Sequence, residues 1–137
     1  MSTNSRIGFY NKGEIKSIYC HWDGYIEHNG EILNRYYTTE EDVRELIALG
    51  DLSILGKRIG EKVDFNKMTF DQIYREKYDG QCVAYCRDRG EKFNVNITTS
   101  IDDFSEQEEY NYLFKDGEWL VSCYDTGYKF KPLKDYL

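Results

Sequence analysis

The sequence predicts an α+β fold: a twisted, mainly antiparallel sheet built from hairpins, with one or two helices packed on a face. Three observations predict it. Short β-type runs flank the turn clusters Asn11-Lys12-Gly13-Glu14, Asp88-Arg89-Gly90-Glu91 and Lys115-Asp116-Gly117-Glu118. One stretch alone, after Thr38-Thr39, has a clear helical period. The connections between strands are local, which favours antiparallel pairing. The 137 residues are read as one domain, 1–137, large enough to bury a core without staples.

The first hairpin joins residues 6–10 to 15–22. Period-two alternation puts Ile18, Cys20 and Trp22 on one face of its second strand, and Tyr19, His21 and Asp23 on the other. Asp23-Gly24 breaks the strand, and 25–30 is a loop carrying Glu27 and His28. Residues 31–37 form one or two helical turns with Ile32 and Leu33 inward and Arg35 outward.

Thr38 or Thr39 caps the main helix, and Glu40, Glu41 and Asp42 suit the positive end of its dipole. Val43, Leu46 and Ile47 make its apolar stripe, and Gly50 ends it. Residues 51–60 read as a packed connector and 61–66 as a short strand; 67–78 suit a weak helix or a loop equally. Residues 81–87 read as a strand, the 88–91 turn as a hairpin tip, and 92–98 as the partner strand. Ser100 caps a short acidic helix over 101–109. Residues 110–114 and 119–124 form the third hairpin, with Asp-Gly as its turn signal. Residues 128–133 give a last edge strand, where Pro132 is tolerated.

Composition narrows the function classes. The net charge is −7, and residues 100–137 carry 9 acidic against 4 basic side chains. Such a chain repels nucleic-acid phosphate, so direct nucleic-acid binding is not expected. There is no signal peptide and no apolar run of membrane length. Four cysteines with no CxxC pair read as free thiols in a reduced, cytoplasmic setting. The 13 tyrosines suit half-buried strands and binding faces alike.

Two concentrations of polar side chains are candidate ligand sites. His21 and Asp23 supply a base with an orienting carboxylate, or two metal ligands, beside Tyr19; the competing reading is a cross-sheet hydrogen bond for His21 and an Asp-Gly turn. Arg87 and Arg89, next to Tyr85, can clamp a phosphate or carboxylate with paired hydrogen bonds; the competing reading is a solvated hairpin tip. Cys20 and His21 point to opposite strand faces, so they make no nucleophilic dyad. Asp102, Asp103, Glu106, Glu108 and Glu109 form an acidic run suited to a basic partner surface, or to a solvated helix face. No motif names a reaction, a metal or a cofactor, and none is assigned.

The segments MST-S-R-IG at the start, IYCHWDGY, ELIALGDLSILGK, CVAY-RDRGE and YLF-DGEWLV resemble a family of small uncharacterised proteins of tailed bacteriophages and prophages. HWDGY and ALGDLS are the most specific parts. This chain has Asn4 where the family carries Arg, and Cys86 where a His is frequent, so a second histidine of the site is missing. The resemblance implies an accessory protein expressed in the bacterial host's cytoplasm, and brings no reaction with it. Such proteins often act by binding. The leading expectation is therefore a counter-defence inhibitor, anti-CRISPR-like, whose partner is a host protein or defence complex. The alternative is a protein that binds or hydrolyses a nucleotide signal with the His21/Asp23 and Arg87/Arg89 side, His21 serving as general base in the hydrolytic version. A last reading gives His21, Trp22 and Asp23 to the fold alone.

Overall fold

The computed structural model describes residues 2–62 and 80–137. The expectations for a strand over 61–66 and for 67–78 fall wholly or largely outside them. Strands β1 (Ser5–Asn11) and β2 (Glu14–Cys20) form the first hairpin in the predicted place. Strands β6 (Tyr110–Lys115) and β7 (Glu118–Cys123) form the last one. Both turn on two residues of positive φ, Lys12-Gly13 and Asp116-Gly117. That geometry matches the twist of the flanking strands, and glycine takes it without strain.

The remaining strands are short: β3 (Leu52–Ile54), β4 (Val83–Ala84), β5 (Asn96–Thr98) and β8 (Lys131–Pro132). The sheet order is β4-β3-β2-β1-β6-β7-β8, with β5 beside β2. Antiparallel pairs dominate, yet the two hairpins meet through a parallel β1–β6 pair, Ser5 opposite Tyr110 through Phe9 opposite Phe114. A parallel pair also joins Cys20 to Leu52. The sheet is therefore mixed, and its centre rests on a contact between residues about a hundred positions apart rather than on local connections.

Helix α1 (Glu31–Tyr36) buries Ile32 and Leu33, and α2 (Glu40–Ile47) buries Val43, Leu46 and Ile47. Thr39 is the cap of α2, its Oγ1 accepting from the Asp42 amide at 3.1 Å. Both helices cover one sheet face, where they pack on Ile7, Ile18, Tyr112, Phe114 and Val121. The opposite face holds a smaller cluster, Ile15, Leu113 and Phe104, the last from helix α4 (Ile101–Phe104). Tyrosine serves the core with its hydroxyl satisfied. Tyr112 Oη donates to the Gly24 carbonyl at 2.7 Å, and Tyr37 Oη to the Gly56 carbonyl at 2.8 Å.

Four expectations are corrected. Trp22 is 41% exposed rather than core, because β2 ends at Cys20 and Asp23 turns the chain at φ 56°. Residues 81–87 are not one strand: β4 is two residues long and runs into helix α3 (Tyr85–Arg89). Cys82 and Cys86 therefore do not share a strand face. Residues 92–98 do not pair with that segment, since β5 lies on β2 with Ile97 opposite Lys16. The acidic helix stops at Phe104, so Glu106, Glu108 and Glu109 lie in the turn beyond it.

Burial raises the Tyr19 phenol to about 12 and raises Tyr37, Tyr110 and Tyr112 as well. A tyrosine raised in the folded state ionises first in the unfolded chain, near its ordinary value of 10. The stability it contributes is whole below that pH and is lost as pH rises through the folded value. The urea midpoint is therefore expected to hold up to about pH 10 and then fall towards pH 12, with tyrosinate absorbance appearing as the chain unfolds. A midpoint unchanged to pH 12 goes against it.

Candidate functional site

The stretch 21–29 folds back on the N-terminal edge of β1. The Gly24 amide donates to the Thr3 carbonyl at 2.8 Å. Asn29 is fully buried, and its Nδ2 donates to Ser5 Oγ at 3.2 Å and Cys20 Sγ at 3.4 Å. His28 Nδ1 donates to Asn29 Oδ1 at 2.9 Å. The loop is thus pinned from inside.

Tyr19 and His21 do share a side, and the Tyr19 hydroxyl is 2.8 Å from His21 Nδ1. The Trp22 ring meets His21 edge-on with centroids 4.8 Å apart. Asp23 lies past the turn, and its carbonyl accepts from the Asn29 amide at 3.3 Å. The Cys20 thiol is fully buried and raised to about 12 by that burial, so it is no nucleophile at neutral pH.

The second concentration divides. Arg87 turns inward: Nε donates to Asp88 Oδ1 at 2.9 Å, Nη1 to the Ile59 carbonyl at 2.8 Å, and Nη2 to the Cys82 carbonyl at 2.9 Å. Its fork is occupied by the protein itself. Arg89 stays outside, 5.4 Å over the Tyr85 ring and 3.7 Å from Glu91. Tyr85 lies within electrostatic range of Tyr19. So Tyr19 meets His21 directly with Tyr85 in range, while the Arg87 fork is taken up by Asp88 and two carbonyls.

That neighbourhood contains a residue the sequence did not single out. Arg6 is 7% exposed and donates from Nε to Ser17 Oγ at 3.2 Å and from Nη2 to the Ser17 carbonyl at 3.4 Å. Burial lowers its pKa, opposed by Asp51 and Glu108. Glu108 is in turn raised by burial, and Arg6 works against the rise. Glu108 thus belongs to the sheet's interior electrostatics as much as to the acidic run.

The rest of the run faces solvent. Asp102, Asp103, Glu106 and Glu109 are exposed, and none makes an ion pair among the described residues. Glu106, Glu108 and Glu109 border a shallow depression with Tyr128. Tyr110 opens β6 opposite Cys123, the end of β7. Burial raises its phenol, and Asp125, Glu27 and Glu109 add to the rise, so carboxylates from three segments lie within electrostatic range of this end of the sheet. Tyr124, next to Asp125, stands 82% exposed there. No composition signal marks Tyr124 among so many tyrosines.

A larger concavity lies on the helix-covered face, between α2 and β5. It has a volume of about 540 Å³ and is lined by Phe9, Ile47, Phe93, Val95 and Ile97, with Lys16 and Arg44. The alternation of Phe93, Val95 and Ile97 is its trace in the sequence.

No group of three or more His, Cys, Asp or Glu side chains suited to a metal ion occurs among the described residues. Nor is any described helix long and apolar enough to cross a membrane. The fold and these surfaces define a small α+β protein on a mixed sheet, eight-stranded among the described residues. No family model, no curated protein and no solved structure matches this chain.

Proposed function

We propose that this chain acts by binding, as a phage- or prophage-encoded counter-defence inhibitor that engages a basic surface of a host protein complex. One observation carries the reading: carboxylates from three segments, Glu27, Glu109 and Asp125, lie within electrostatic range of Tyr110 at the end of β6, and the exposed Tyr124 adjoins Asp125. Tyrosine is enriched at interfaces, where its rigid ring buries much area at small entropic cost. Surface carboxylates at this end of the sheet steer a basic partner and set its orientation. The nucleotide reading has less support, because the Arg87 fork is already filled by Asp88 and two carbonyls.

The test is native mass spectrometry of the tagged full-length protein drawn from host lysate, followed by titration with the purified partner. A partner retained by the wild type is expected to bind at least about tenfold more weakly to the combined Glu106→Lys, Glu109→Lys, Asp125→Lys variant, and to be released by salt. Tyr124→Ala is expected to weaken it too. Phage plating is expected to gain from the wild type only on hosts that carry the captured complex. A bare protein, or a partner indifferent to all four changes, overturns the reading.

A further inference from the structure

The groove between α2 and β5 lies on the sheet face opposite α4, and it carries an inference independent of the partner reading. Its floor is apolar, with Phe9 buried beneath it. Its α2 wall is Ile47 and Ala48. Across from them Phe93 and Ile97 are 50% and 60% exposed. Two large apolar side chains held open to water beside a concavity of about 540 Å³ describe a ligand pocket rather than a flat surface.

The two charged side chains that line the groove are both basic. Lys16 sits opposite Ile97 in the β2–β5 register, and its ammonium has no partner among the described residues. The Arg44 guanidinium lies 4.9 Å above the Phe9 ring, held there by Glu40 at 2.7 Å. Of the two cations that line the groove, the one facing Ile97 in the register is therefore the unpaired one. A neutral apolar guest fills the walls and leaves the ammonium without a counter-charge. A cationic guest meets repulsion. An anion with an apolar body satisfies both features, through area removed from water and a charge-assisted hydrogen bond to Lys16.

We propose that this groove binds a small amphipathic organic anion, an apolar chain or ring ending in one carboxylate. The apolar body lies between Ile47 and the Phe93–Ile97 wall, and the carboxylate reaches Lys16.

The test is isothermal titration of the full-length protein with decanoate, decanol and decyltrimethylammonium, all below their aggregation limits. Decanoate is expected to bind at one site, about tenfold more tightly than either isostere. Lys16→Gln is expected to remove that preference, and Lys16→Glu to turn it towards the cation. Ile97→Asp is expected to weaken decanoate binding at least tenfold, as the new carboxylate repels the ligand and the wall loses its apolar surface. These positions are solvent-exposed, so circular dichroism of the variants is expected to match the wild type. Lys129→Glu, at an exposed position outside the groove, is expected to leave binding unchanged. Equal binding of all three probes, no decanoate binding, or a decanoate affinity indifferent to Lys16 overturns the proposal. So does a dimer that Ile97→Asp dissociates, which assigns the groove to a second copy of the chain.

Discussion

Arg87→Ala is expected to destabilise the protein by about 3–5 kcal/mol, the range for breaking a buried ion pair from one side. The Asp88 side chain is fully buried, and its Oδ2 also accepts from the Ala84 amide at 2.8 Å. Without the guanidinium that buried carboxylate loses two charge-assisted hydrogen bonds, from Nε and Nη2. The Ile59 and Cys82 carbonyls lose a charge-assisted donor at the same time. The same network explains why the chain turns from β4 into α3: Asp88 holds the entry amide, and Gly90, at φ 72°, ends the helix in the left-handed region. Lysine does not restore it, since one ammonium cannot span Asp88 and two carbonyls in the plane a guanidinium occupies. Arg89→Ala, at an exposed position, is expected to change stability by no more than about 0.5 kcal/mol. Urea unfolding of the three variants checks this. Arg87→Ala with a wild-type midpoint returns that side chain to the list of ligand-binding candidates.

Phe104→Ala is expected to cost a similar amount, about 3–5 kcal/mol, because a fully buried ring leaves a cavity that its neighbours fill only in part. Phe104 is the fully buried side chain by which the four-residue α4 enters the second cluster, against Ile15 and Leu113, with Ile101 packed half-buried beside it. It stacks on Phe130 with centroids 5.8 Å apart. Gly8 of β1 leaves the space for it: a Cβ there would lie 2.7 Å from the ring's Cζ. The loss is also expected to reach the acidic surface. Asp102 and Asp103 stand on α4, and Glu106 follows its cap residue Ser105, so unseating the ring is expected to loosen all three. Faster amide hydrogen exchange over 100–109 than over β6 is the expected sign. A variant with a normal midpoint and unchanged exchange refutes the anchoring role.

Some of this was legible in the residues. Asn11-Lys12-Gly13 and Lys115-Asp116-Gly117 named both long hairpins, because a two-residue turn with positive φ is a local demand. The i, i+3, i+4 spacing of Val43, Leu46 and Ile47 named α2 and its buried face for the same reason. Residues 81–91 misled. Gln81 to Arg87 alternates as a strand does, and the buried Arg87–Asp88 lock that overrides the alternation depends on the Ile59 carbonyl, 28 positions away. Tyr19 and His21 met as their alternation foretold, whereas Arg6 beside them carried no local mark of its burial.

What the sequence determined by itself were the α+β class, the places of the long strands and α2, and the acidic character of the C-terminal third. Each follows from turn chemistry, periodicity or composition within a few residues. Only the tertiary structure decided which strands become neighbours, that β1 lies parallel to β6 and β5 on β2, that Arg87 points inward, and that Lys16 and Ile97 face one groove. Period-two alternation tells a side chain's face but not its strand's partner. Partner choice is a global competition to bury apolar area, and no window of residues contains it.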